Sequence, residues 1–304
     1  MTDALSLAAG AARVELAPET GGAIATFRYR DVDVLRPTPQ EARQAGDVRA
    51  HASYPLVPYS NRIEHARLKF AGRDIELAKN FGDHPHSIHG VGWQRPWRVV
   101  ARDEATALIA LEHAATGAEA GAWPWPFRAT QWFGLHTDDH GATLTAKLSI
   151  TNTGTAVFPF GLGFHPFFPR TATTALDFEA VSFWENDDTQ IPVRKTAVPA
   201  EWRRGILSAH DSRGIDNVFT EWTGVATLTD PARTFDTRIA ADSASGFVVV
   251  YAPPARDFVA VEPVTHMTDA FNRVERSESD TGSRILAAGA GFSCTMQIST
   301  RLRS

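Results

Sequence analysis

The sequence predicts an all-β protein built from large antiparallel sheets packed face to face, with few and short helices. Three observations carry this reading. Many short segments alternate apolar and polar residues with period two, and no long stretch holds apolar residues at helical spacing. The 18 prolines and 22 glycines are scattered between those segments instead of gathering into a linker.

The clearest element runs from Thr143 to Thr151. Leu144, Ala146, Leu148 and Ile150 form one face, the intervening polar residues form the other, and Asn152-Thr153-Gly154 ends the run. Phe247 to Tyr251 is a continuous apolar run, which suits a strand covered on both faces. The last strand repeats the first design, with Phe292, Cys294, Met296 and Ile298 facing one way. Sheets of this kind bury their apolar faces against each other and leave a concave outer face for a ligand. No internal repeat breaks the chain, so residues 1–304 are expected to form a single domain.

Composition narrows the function. Hydrophobic residues make up 43% and charged residues 21%, which allows a large core and excludes wholesale disorder. The net charge of -5 comes without a run of either sign, so neither nucleic acid nor an anionic membrane is an expected partner. A small neutral ligand fits better. Cys294 is the single cysteine, and its expected role is packing. The stretch from Met1 to Ala12 lacks the basic start of a secretory signal, and no segment is apolar for the roughly 20 residues a bilayer requires. A cytoplasmic location is the resulting expectation.

Four segments place polar residues where strand interiors should be apolar. They are Tyr59-Ser60-Asn61-Arg62-Ile63, His84-Pro85-His86-Ser87-Ile88-His89-Gly90, Gly161-Leu162-Gly163-Phe164-His165-Pro166-Phe167-Phe168 and Val259-Ala260-Val261-Glu262-Pro263. Glu262 shares a strand face with Phe258 and Ala260, an expensive setting for a carboxylate unless it is used or paired. A core Glu satisfied by an arginine is the plain alternative. His165, among phenylalanines and beside glycines, reads either as a hydrogen-bonded core histidine or as a general acid near neutral pH. His84, His86 and His89 suggest metal ligands by spacing alone, but Gly90 and Gly92 stand where a metal-binding Glu would be expected. With Asn61 and Arg62 the same histidines can donate to sugar hydroxyls. One or two of Trp93, Trp97, Trp123, Trp125 and Trp132 could stack on a sugar ring. Asp216, in Gly214-Ile215-Asp216-Asn217, reads locally as a turn-capping residue before it reads as a hydroxyl ligand.

Five motifs in order resemble the aldose 1-epimerase (galactose mutarotase) family over nearly the whole chain. They are Asn61-Arg62-Ile63 with Phe70-Ala71-Gly72; Ile88-His89-Gly90 with Trp93; Gly163-Phe164-His165-Pro166; Ile215-Asp216-Asn217-Val218-Phe219; and Val261-Glu262-Pro263 with Asp269-Ala270-Phe271-Asn272. The resemblance implies a β-supersandwich with Glu262 as catalytic base, His165 as catalytic acid, and Arg62, His89 and Asp216 as sugar ligands, with Asn61 beside them. It implies mutarotation of a free aldose such as glucose or galactose, with no cofactor and no metal; a monomer or weak homodimer is the expected assembly.

A hexose 6-phosphate mutarotase is the alternative, for which Arg67, Arg73 and Arg95 could supply the basic groups. Scattered arginines and an acidic chain favour neutral hexoses. A sugar-binding protein of the same fold would need no Glu262–His165 pair. A glycosidase would need a second carboxylate as well placed as Glu262.

Overall fold

The structure is a computed structural model and describes residues 5–202 and 214–303. Its architecture is antiparallel β, with short helices at Gln40–Ala45, Ala118–Ala122 and Ala270–Glu275. One eight-stranded sheet runs in the order Arg98–Arg102, Thr106–His113, Phe127–Asp138, Gly141–Asn152, Gly291–Leu302, Phe235–Ala241, Val225–Thr229 and Ala175–Phe178. Its centre is the pair of twelve-residue strands Phe127–Asp138 and Gly141–Asn152, which match residue for residue from Phe127↔Asn152 to Asp138↔Gly141. The expected alternation holds there: Leu144, Ala146, Leu148 and Ile150 are buried.

A second sheet runs Pro192–Ala197, Ser182–Asn186, Ile215–Thr220, Phe247–Ala252, Phe258–Val264, Gly163–Phe164 and Pro55–Leu56, with Phe167–Pro169 also pairing Phe258–Val264. The apolar run at 247–251 lies in the interior of this sheet, between Ile215–Thr220 and Phe258–Val264. A smaller sheet of Leu5–Ala9, Ala12–Ala17, Ala23–Tyr29 and Val32–Asp33 joins the same hydrophobic cluster.

The two large sheets meet through aromatic contacts such as Phe178 against Phe219, edge to face at 4.9 Å. Because strand side chains alternate, the second sheet turns Val248, Val250 and Phe219 one way and Val249, Tyr251, Asp216 and Glu262 the other. That second face carries the cleft. Among the described residues no helix is long and apolar enough to cross a membrane.

Candidate active site

The cleft has a volume of about 280 Å³ and is lined in part by Asn61, Arg62, His89, His165, Asp216 and Glu262. The fold therefore brings together all six residues singled out from the sequence. Their separation along the chain is bridged by register. The ladder that pairs Gly163 with Val264 and Phe167 with Ala260 leaves His165 directly across from Glu262. His165 Nε2 and Glu262 Oε1 are 3.3 Å apart, at 7% and 2% exposure.

Each partner keeps a further buried polar atom unsatisfied, His165 Nδ1 and Glu262 Oε2. Buried polar groups are normally satisfied, so orphaned atoms at a cleft mark where a ligand or water would bond. The imidazole is enclosed by rings: Phe167 stacks on it at 4.5 Å, Tyr54 lies at 4.6 Å and His89 at 5.3 Å. Burial in this apolar cage, with help from Arg36, pushes His165 down to about 3. Burial, then the nearby Asp216 carboxylate, pushes Glu262 well above the usual carboxylate range, against the pull of Arg62. The surroundings therefore favour a neutral carboxylic acid facing a neutral imidazole.

The opposite wall is a loop held by histidine rings. The Asn61 amide donates to His89 Nδ1 at 3.0 Å, and the His89 amide donates to the Asn61 carbonyl at 2.8 Å. Both residues have positive φ, 58° and 61°, a strained setting that the mutual clamp maintains. Because Nδ1 of His89 accepts, its proton resides on Nε2, which makes the ring a donor. Gly90 follows at φ 68°; a Cβ there would lie 2.3 Å from the Val57 carbonyl, the oxygen that accepts from Val91 and Gly92. Ser60 is fixed in the same manner, its amide donating to His266 Nε2 at 3.0 Å while His266 Nδ1 donates to the Met267 carbonyl. Gly161 makes room for this ring: a Cβ there would be 1.7 Å from His266 Cδ2.

Asn61 Oδ1 accepts from both the amide and Nη1 of Arg62, at 2.9 Å each, so Asn61 aims that guanidinium. Arg62 Nη2 then lies 3.6 Å from Asp216 Oδ2. Asp216 sits in the strand Ile215–Thr220, opposite Tyr251, with its side chain in the cleft. This overturns the turn-capping reading. The strand continues through the Ile-Asp-Asn sequence because its polar face lines a cleft instead of ending at a turn.

Several expectations change. The cleft's aromatic wall is Tyr54, Phe81, Phe167, Tyr251 and Phe258, not tryptophan. Trp93, Trp97, Trp123 and Trp125 are buried in the core, and Trp132 is surface-exposed on a strand outside the cleft. Arg67, Arg73 and Arg95 do not line the cleft; the first two are exposed on a hairpin and Arg95 pairs with Glu119. Arg36 and Arg49 line it instead, and nothing local in Leu35-Arg36-Pro37 or Val48-Arg49-Ala50 signals this. His84 and His86 have structural work. His86 Nδ1 accepts from the His65 amide, its Nε2 donates to the Thr189 carbonyl, and the His84 ring lies 5.1 Å away.

Sequence and structure comparisons place the chain among known proteins. The model of the aldose 1-epimerase family matches residues 3–299. The uncharacterized protein YphB of Escherichia coli K12 is 27% identical over 305 residues, covering 98% of each chain. A solved structure from Escherichia coli K12, named as a candidate aldose 1-epimerase, superposes with a TM-score of 0.86 at 24% identity, covering 99% of each chain. A galactose mutarotase-like protein from Clostridium acetobutylicum gives 0.84 at 18% identity, over 98% of this chain and 95% of that one. At these identities the two structures establish a shared fold, and the match over nearly all of the sequence establishes kinship: the chain belongs to the aldose 1-epimerase family.

Proposed function

We propose that the protein is an aldose 1-epimerase that interconverts the α and β anomers of a free aldose by opening and reclosing the sugar ring. The observation that carries this reading is the buried cross-strand pair His165–Glu262, with an orphaned polar atom on each partner, at a cleft rich in hydroxyl-binding groups.

Mutarotation requires that the C1 hydroxyl lose a proton while the ring oxygen gains one. Glu262 serves as the base and His165 as the acid. A sugar hydroxyl donating to Glu262 Oε2 stabilises the carboxylate, which moves the pair's shared proton onto the imidazole as substrate enters. Glu262 then takes the O1 proton and His165 protonates O5. The C1–O5 bond breaks, the aldehyde turns about C1–C2, and closure on the other face returns both protons. Arg62, held by Asn61, with Asp216 and the Nε2–H of His89, fixes the remaining hydroxyls so that the reacting atoms stay aligned.

Polarimetry together with calorimetric sugar binding tests the proposal. Glu262→Gln should retain binding and lose turnover. His165→Asn should lose about 10²–10⁴-fold in rate. Because both act in one proton circuit, the double variant should be only slightly slower than either single one. Turnover close to wild type in Glu262→Gln would refute the mechanism, and a sugar-binding protein without catalysis would show no enzymatic rate in any of the four.

A further inference from the structure

The cleft contains a cation that the mutarotation chemistry does not use. Arg36 lies with its guanidinium carbon 3.9 Å from the Phe167 ring centre and 4.6 Å from that of Phe258. Its Nη2 donates to the carbonyls of Arg49 and His51, at 3.0 Å each, which fixes the fork in place. Its Nε is buried without a partner, and no carboxylate among the described residues lies within ion-pair distance of it. Burial holds Arg36 below its ordinary value, against the opposing pull of Tyr54, Asp257, Tyr251 and Asp47. Arg49 lines the same cleft and sits over the Phe81 ring at 5.4 Å, sharing its charge with Asp47. A desolvated guanidinium, pre-aligned and unpaired beside a ligand cleft, is built to receive an anion.

The position of Arg36 says which part of the sugar it meets. Phe167 stacks on both the Arg36 guanidinium and the His165 imidazole, and Arg36 is the charged group that acts most strongly on His165. Arg62 acts on both partners, on His165 less than Arg36 does, and Asp216 acts on Glu262. If His165 addresses O5 and Glu262 addresses O1, the ring atom beyond O5 is C5, which carries C6. The Arg36 side of the cleft is then the C6 side.

We propose that the aldose turned over here is anionic at its C6 end, with C6 oxidised to a carboxylate or esterified to phosphate through O6, and that this group is received by Arg36 with Arg49 beside it. This rests on the mutarotase reading above, and it reverses the preference for neutral hexoses that the scattered arginines of the sequence suggested.

The test compares kcat/KM for glucuronate and glucose 6-phosphate with that for glucose and the neutral glucuronamide, in the wild type, Arg36→Met and the more exposed Arg49→Met. One of the two acids should exceed both neutral sugars by about 10–100-fold, the range expected for hydrogen bonds to a charged group. Whichever acid wins identifies the substituent. The acid-to-neutral ratio should fall at least about tenfold in Arg36→Met, less in Arg49→Met, and should shrink in high salt for the wild type. A guanidinium that only props the wall would slow all four sugars alike. An unchanged ratio in both variants, or neutral sugars turned over as well as the acids, would overturn the proposal. If no sugar is turned over, the mutarotase reading fails; calorimetry of the same four sugars then decides the charge claim, since selective loss of acid binding in Arg36→Met upholds it and equal binding defeats it.

Discussion

At the scale of single residues, the pair His165–Glu262 has an unusual relation to pH. Burial pushes His165 down to about 3 and Glu262 upward, so the two share one proton across a wide range. With two protons the pair has no base, and with none it has no acid. Lowering His165 moves the acid-side loss of activity downward; raising Glu262 moves the alkaline loss upward. The kcat/KM profile is therefore expected to be flat through pH 6.5, the ordinary histidine value. A decline of about tenfold per unit just above that pH would show His165 titrating as a free imidazole. Glu262 and His165 were legible in the sequence because each interrupts an apolar segment. Asp216 was legible only through its motif, since Ile-Asp-Asn looks like a turn when the cleft is unknown. Arg36 gave no signal, because its meaning comes from Phe167 and Phe258, more than a hundred residues away.

Among the structural elements, the strands were readable from their alternation, and the short pieces that form the site were not. Gly163–Phe164 and Phe167–Pro169 are two and three residues long, too short for any periodicity, yet their shared register fixes the distance between His165 and Glu262. The tryptophans misled for a related reason: composition reveals aromatic surface without revealing which side of a sheet it covers. The loop opposite the pair depends on the histidine rings behind it, and this dependence can be measured. Gly161→Ala forces a methyl group against His266, so the ring must move and release the Ser60 amide. Overpacking of this kind costs about 1–3 kcal/mol. Denaturant titration should show that loss, and kcat/KM should fall with it, because Asn61 and Arg62 follow Ser60 directly. Full stability in Gly161→Ala would mean that the ring is not the loop's anchor.

For the whole molecule, the relevant fact is how far apart the site's halves lie in sequence. The Ser60 amide bonds to His266, Glu64 to Asp269 Oδ1 and Lys69 to Asn272 Oδ1, across 206, 205 and 203 residues. These contacts join the early loop to the loop and helix that follow the strand Phe258–Val264. They also put a clock on the molecule. At a synthesis rate of about 5–20 residues per second, the segment carrying Asn61 and Arg62 waits on the order of ten to forty seconds before its anchors exist. Through that interval Asn61 has His89 to hold it, but Ser60, Glu64 and Lys69 lack the partners that fix the rest of the wall. Such long closures also slow folding in general. On dilution from denaturant, tryptophan fluorescence from buried Trp97 and Trp123 is therefore expected to recover ahead of the proposed mutarotase activity. Simultaneous recovery of the two signals would show that the wall forms with the core, and that the order of synthesis leaves no trace in the order of assembly.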